Sequence, residues 1–275
     1  MNEFSVVMSV YKNDNILHFI EAVKSLINQT IIPNEIIIVR DGVVSDELQS
    51  VISKFSQDYD KIIKIVELDE NKGLENALNV GIKLSAFDII ARMDADDISM
   101  PNRFELQLPF LIENNLDLVG GQIIEFGTNK LDVISQRKVP LNHDSIIKFL
   151  KYRSPFSHPT IIFKKEVFLK LNGYDTNIKY GVGDYDFFVR ACLKGFRFGN
   201  INENVLWFRV GDASNAIKRR HGILYAKNEI KLYNKFRKIG YYNLSEFIYI
   251  MVLKIPIRII PFSVFKFIYF KFFRN

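Results

Sequence analysis

Short β-branched runs alternate with segments of helical period through the first hundred residues, and that alternation most constrains how this chain can fold. Residues 4–10 are mostly apolar and predict a buried strand. Behind them Ile16, Phe19, Ile20, Val23, Leu26 and Ile27 recur at helical spacing and predict one apolar helix face. Further strands are expected at 35–40, 61–68 and 88–93, with helices at 46–55 and from Leu74 to Ile82. This order predicts an α/β fold with a mainly parallel sheet flanked by helices. In such sheets ligands lie beyond the carboxyl ends of the strands. Tyr11, Arg40 with Asp41 and Gly42, and the acidic cluster after residue 93 therefore draw attention.

The remaining chain continues with expected helices at 102–113, 144–152 and 184–194, strands at 117–126 and 160–163, and a polar, hairpin-like stretch up to Pro140. No internal repeat interrupts it. With 48% apolar and 25% charged residues, a disordered or low-complexity chain is excluded. One cysteine, Cys192, excludes an internal disulfide and a Cys-rich zinc site, and it reads as a core residue. His18 and His143 read as surface positions. The first residues lack the charged and small-residue pattern of a secretory signal, so a cytoplasmic protein is expected.

Charge is distributed unevenly. From Ala216 onward there are 13 basic and 2 acidic residues, against 24 and 29 before it, and 11 of the 37 aromatics fall in the last 35 positions. Residues 214–237 read as a basic helix. The tail after them is apolar but broken by Lys254, Pro256, Arg258, Pro261 and Lys266, leaving no uncharged window long enough for a membrane span. Two readings fit: an amphipathic element at an anionic membrane surface, or a helix pair docking its aromatics on the domain. No nucleic-acid-binding module accompanies the basic charge.

Asp94, Asp96 and Asp97 follow directly on an apolar strand. Carboxylates this dense repel one another unless a cation lies among them, and a divalent ion holding a diphosphate is the usual reason; a solvated helix-capping turn is the alternative. Neither a P-loop nor a dinucleotide glycine fingerprint follows the first strand, so a bound nucleotide would be held by carboxylates and a metal.

The order of motifs is specific. SVVMSVY at 5–11, IIIVRDG at 36–42, NKGLENALN at 71–79 and IARMDADDISMPNRFE at 90–105 resemble the family-2 glycosyltransferases of the GT-A fold. RKVP at 137–140, RSPFSHPTIIF at 153–163, GYD at 173–175, DYDFFVR at 184–190, and RVGD and RRHG at 209–212 and 219–222 resemble the branch that builds bacterial O-antigen, capsule and exopolysaccharide repeat units. The resemblance implies an inverting GT-A enzyme of the nucleotide-diphospho-sugar transferase type. Residues 1–212 would form the catalytic domain, with 1–100 as its nucleotide-binding half and 101–212 as its acceptor-binding half. Residues 213–275 would form a basic, helical and aromatic extension that anchors it to the membrane surface.

Position by position, the resemblance implies that Tyr11, Asp41, Asn71, Gly73, Arg92 and Asp94 bind the nucleotide-sugar, with Asp41 on the uracil and Asp94 toward the ribose or diphosphate. Asp96 would coordinate Mn²⁺ or Mg²⁺, supported by Asp97. Asp184 matches the family's general base, but the Glu that normally precedes it is replaced by Gly183; either Asp184 works without that neighbour or Asp186 takes over. His158 either orients the acceptor or is structural. Arg219 and Arg220 either pair with phosphate or form a solvated helix face. The implied donor is a UDP-hexose, galactose or glucose, and the acceptor GlcNAc or GalNAc on a polyprenyl diphosphate such as undecaprenyl diphosphate. The implied location is the inner face of the cell membrane, bound peripherally. A sugar nucleotidyltransferase, which should carry a glycine-rich loop after the first strand, and an inactive sugar-nucleotide-binding protein are the rival readings.

Overall fold

The computed structural model describes residues 3–178, 182–211 and 221–265. Strands β1 (Phe4–Val10), β2 (Glu35–Asp41), β3 (Ile63–Leu68) and β4 (Ile89–Asp94) alternate with helices α1 (Ile16–Ile27), α2 (Asp46–Asp58) and α3 (Leu74–Leu84). The strands pair in parallel in the order β3-β2-β1-β4. The faces of β1 divide the core. Phe4, Val6, Met8 and Val10 pack with Phe19, Val23 and Leu26 of α1, whereas Val7 packs with Leu78 and Ile82 of α3. Gly81 makes the second contact possible: a β-carbon there would lie 2.6 Å from Cγ1 of Val7 and 2.9 Å from Cγ2 of Val39.

Residues after Asp94 extend this parallel half into a mixed sheet. They form β5 (Ile98–Ser99), α4 (Arg103–Glu113), β6 (Leu118–Phe126), β7 (Val133–Arg137), α5 (His143–Leu150), a 3-10 turn (His158–Thr160), β8 (Ile162–Lys164), α6 (Lys165–Lys170), α7 (Gly183–Leu193) and β9 (Phe198–Arg209). β8 runs antiparallel between β4 and β6, β9 runs parallel to β6, and β5 and β7 pair antiparallel with β9 and β6. β9 is absent from the sequence expectations, and the polar stretch before Pro140 contains β7.

The C-terminal segment is a hairpin of α8 (Ile223–Lys238) and α9 (Leu244–Ile259). Asn243 and Glu246 form a reciprocal capping box at the start of α9, and the helix continues through Pro256. Leu232, Tyr233, Phe236, Tyr241, Tyr242 and Ile250 share one core cluster with Tyr185, Phe187 and Phe188 of α7. The hairpin therefore docks its aromatics on α7. The boundary expected near 212 lies outside the described residues. Lys254 and Arg258, expected to face anionic headgroups, instead turn inward: Lys254 is 7% exposed, and Arg258 holds Glu229 through contacts of 2.7 and 3.0 Å. Among the described residues, no helix is long and apolar enough to cross a membrane. His143 is also more engaged than expected, its Nδ1 accepting the backbone N–H of Phe198.

Candidate active site

β1 lies between β2 and β4, so the chain's connections depart in opposite directions from it, and the crevice at its carboxyl end is where an α/β sheet binds ligands. Ser9 of β1 stands in register with Asp94 of β4, which brings the residues after both strands together. Asp94, Asp96 and Asp97 each offer a carboxylate oxygen, and these oxygens lie within 4.8 Å of one another. Arg92 grips Asp94 with both terminal nitrogens. Asp97 is fully buried; its Oδ1 accepts the Arg209 N–H at 2.8 Å, while Oδ2 is buried with no hydrogen-bond partner. Burial, then the charges of Asp96 and Asp94, raise the Asp97 carboxyl well above the usual range. Asp96 keeps solvent contact at its side chain, but the protein crowding it, then the charge of Asp94, push it up to about 6.

This donor set fits a divalent cation. Hard carboxylate oxygens suit manganese and magnesium, and an orphaned, buried oxygen beside two further carboxylates needs a proton or a cation. Asp14, which sequence reasoning missed, and Arg209, which it read like Arg219 and Arg220 as either phosphate-pairing or solvated, complete the surroundings. Asp14 accepts the Tyr11 N–H; burial chiefly, then the negative charges of Asp96 and Asp94, push it up to about 7 against that hydrogen bond. Its place four residues after β1 was the available signal. Arg209 staples the cluster from β9, donating to the Asp96 carbonyl at 2.9 Å and to Glu21 at 2.5 Å.

Asp41 ends β2, and its two carboxylate oxygens accept the N–H groups of Lys72 and Gly73, both at 2.9 Å. Asn71 donates to the Asp41 carbonyl. Gly42, at φ +84°, passes so close that a β-carbon there would lie 2.6 Å from the Asn71 nitrogen. The turn after β2 and the loop before α3 are thus fastened together, with Gly73, at φ +94°, opening α3. Asp41 is 2% exposed. Tyr11 lies at the end of β1, 39% exposed.

A cavity of about 330 Å³ is lined by Asp94, by residues at the start of α7 and by residues of the C-terminal hairpin. Glu75, Arg92, His158 and Asp184 line it together with Asp94. Asp184 stands in the first turn of α7. Gly183, where the family pattern has Glu, faces Glu75: a β-carbon at 183 would lie 2.8 Å from Cγ of Glu75 and closer still to its carboxylate. Glu75 therefore supplies from α3 the acidic neighbour that Asp184 lacks in sequence, and its carboxyl is raised by burial and then by the charge of Asp184. His158 meets the Tyr174 hydroxyl through Nε2 at 2.9 Å; burial, then the Arg92 charge, lower its pKa well below the usual value, so the ring is neutral. Asp186 is a correction. It is fully buried away from the cavity and paired with Arg190 at 2.7 Å and Lys235 at 2.5 Å, so it neither meets an acceptor nor replaces Asp184. Arg219 and Arg220 lie outside the described residues.

Residues 5–171 match the family model for glycosyl transferase family 2. The chain belongs to that family. This family-2 glycosyltransferase is 36% identical, over 99% of its length and 97% of the other chain, to the UDP-Gal:alpha-D-GlcNAc-diphosphoundecaprenol beta-1,3-galactosyltransferase of Escherichia coli. It is 33% identical to the O-antigen biosynthesis glycosyltransferase WbnJ of Escherichia coli, over 78% of this chain and 82% of that one. In fold it is similar to the mannosyltransferase PcManGT of Pyrobaculum calidifontis, solved in complex with GDP-Man and Mn2+, with a TM-score of 0.65 over 92% of this chain and 69% of that one at 17% identity. The expected GT-A type of fold and glycosyltransferase class both hold.

Proposed function

We propose that this family-2 glycosyltransferase moves a hexosyl group, galactose or glucose, from a UDP-sugar to GlcNAc or GalNAc carried on a polyprenyl diphosphate, inverting the anomeric centre, in O-antigen or capsule assembly. One observation carries the reading: a single cavity is lined by Asp94 of the acidic cluster and, at the start of α7, by Asp184. The likeness to the E. coli galactosyltransferase, whose name gives both a UDP-Gal donor and a GlcNAc-diphosphoundecaprenol acceptor, supports the substrate classes. Asp184 accepts the proton of the acceptor hydroxyl as that oxygen bonds to the anomeric carbon. The bond from this carbon to the diphosphate oxygen breaks, and UDP leaves with the electron pair. A single displacement of this kind inverts configuration and requires no protein nucleophile. Asp94, Asp96 and Asp97 would hold Mn²⁺ or Mg²⁺, which when bound neutralises charge on the diphosphate as a Lewis acid. Arg92 fixes the orientation of Asp94, and the Asp41 clamp holds the Asn71–Gly73 loop at the nucleotide side.

The exposed face of α9 supports peripheral association with the inner face of the membrane. Leu244, Ile248, Val252 and Ile259 recur on the side away from the core, each more than half exposed. The enzymatic reading is tested by UDP release with UDP-galactose and UDP-glucose against a synthetic GlcNAc-diphospho-lipid, with the product anomer read by proton NMR. Wild type should form a β-linked product. Asp184→Asn should lose roughly 10²–10⁴-fold in kcat while binding UDP as before. Equal turnover of the two proteins removes Asp184 as base, and a product of retained configuration removes the single displacement.

A further inference from the structure

Glu75 is a carboxylate on the cavity wall that the displacement leaves unused. It stands in the first turn of α3, where an acidic side chain ordinarily turns to solvent beside the helix N-terminus. Here it turns inward. Glu75 lines the cavity together with Arg92, His158 and Asp184, and its side chain takes the space that Gly183 opens. A β-carbon at 183 would lie 2.8 Å from Cγ of Glu75 and 3.0 Å from its carboxylate carbon, so only glycine admits it. The carboxylate therefore abuts the residue that precedes the proposed base, and both acids face the one cavity. A carboxylate offers about four lone-pair directions. That of Glu75 accepts its own backbone N–H, while burial chiefly, then the charge of Asp184, raise its pKa against that bond and the charge of Arg92. Arg92 is itself committed to Asp94 through both terminal nitrogens. Capacity to accept from a ligand remains.

We infer that Glu75 is a specificity-determining residue that accepts a hydrogen bond from the acceptor-sugar hydroxyl adjacent to the one Asp184 deprotonates. The inference rests on the roles proposed above for Asp184 and the lipid-linked acceptor. Because Asp184 must touch the attacked hydroxyl, the acceptor ring lies against the start of α7, and the carboxylate beside Gly183 is met by the next hydroxyl along the ring. Two acids at neighbouring places thus read two neighbouring O–H donors, one to be deprotonated and one only held. A sugar lacking the second hydroxyl would cover Glu75 without supplying that donor, which is how a polar site rejects an analogue missing one group.

The test is a cycle between enzyme and substrate. Its acceptors are GlcNAc- and GalNAc-diphospho-phenoxyundecyl and their analogues deoxygenated at C3, C4 or C6, one position at a time; its proteins are wild type, Glu75→Gln and Glu75→Ala. With wild type, one analogue that keeps the attacked hydroxyl should lose about 10–100-fold in kcat/KM, the weight of a hydrogen bond to a charged group. Glu75→Ala should lose about as much on the full acceptor and show no further loss on that analogue, with Glu75→Gln between it and wild type. The dissociation constant for UDP should stay unchanged. A merely structural Glu75 would lower the rates of all acceptors alike. Calorimetric binding of the same acceptors in the presence of UDP repeats the cycle without turnover. The inference is overturned if the deoxygenation penalties are the same in wild type and Glu75→Ala, or if the substitution raises KM for the UDP-hexose alone, which would assign Glu75 to the donor. Transfer with the penalties unchanged would remove this inference and leave the proposed function standing; neither transfer nor binding of any of these acceptors would overturn both.

Discussion

Gly183 and Glu75 show how one substitution in a motif is compensated from elsewhere in the fold. Placing Glu at 183 would force its β-carbon against Glu75 and set a third carboxylate beside Asp184. Gly183→Glu is expected to destabilise the protein by about 1–3 kcal/mol, the usual cost of overpacking, measured by urea unfolding. The double variant with Glu75→Ala should recover about 1 kcal/mol or more of that loss, because the two side chains compete for one space. Strictly additive effects would separate them. The sequence made the missing Glu before Asp184 visible, and it placed the acidic cluster, because both belong to contiguous runs. Glu75 carried no such signal, since its meeting with Gly183 is made by α3 packing against α7 and by nothing in either local pattern.

At the scale of elements, α7 divides its two aspartates between opposite tasks. Positions two apart on a helix point roughly 200° away from each other, so Asp184 faces the cavity while Asp186 enters the core. Asp186→Ala would remove a fully buried carboxylate from Arg190 and Lys235, leaving Lys235 with Asp175 and Arg190 with the Leu171 and Gly173 carbonyls. A loss of about 3–5 kcal/mol is expected, seen as a lower unfolding midpoint. Asp184→Asn should leave that midpoint nearly unchanged while turnover falls. Equal destabilisation by the two would refute the division. The parallel half of the sheet was readable because β1, β2 and β4 are buried on both faces and are mostly apolar. β9 was not, since Gly199, Asn200, Asn202, Glu203 and Asn204 interrupt it, and its residues are held by pairing with β6 rather than by propensity. The hairpin's basic and aromatic composition was equally plain. Which face each residue takes was not: Lys254 and Arg258 read as surface cations until α9 is wrapped against α8.

For the molecule as a whole, the account depends on carboxylates that the fold crowds together beyond what Arg92 and Arg209 offset. Asp14, Asp96 and Asp97 all have folded pKa values raised above the ordinary 3.8. The folded state therefore binds more protons than the unfolded one above that pH. These groups favour folding fully below about pH 4 and progressively less as pH rises through about 6 to 7. A cation that takes the place of those protons should consequently stabilise the fold more at high pH than at low. Thermal melts are expected to show a larger upward shift on adding Mn²⁺ at pH 8 than at pH 5, and Asp96→Asn should diminish the pH 8 shift. A shift independent of pH would argue that the ion binds elsewhere. The most direct measurement is calorimetry of UDP binding at pH 7.5, with Mn²⁺ and with chelator, in wild type and in Asp96→Asn. The account predicts tight binding only for wild type with Mn²⁺, and it is contradicted if UDP binds equally well in chelator or if Asp96→Asn leaves the metal dependence intact.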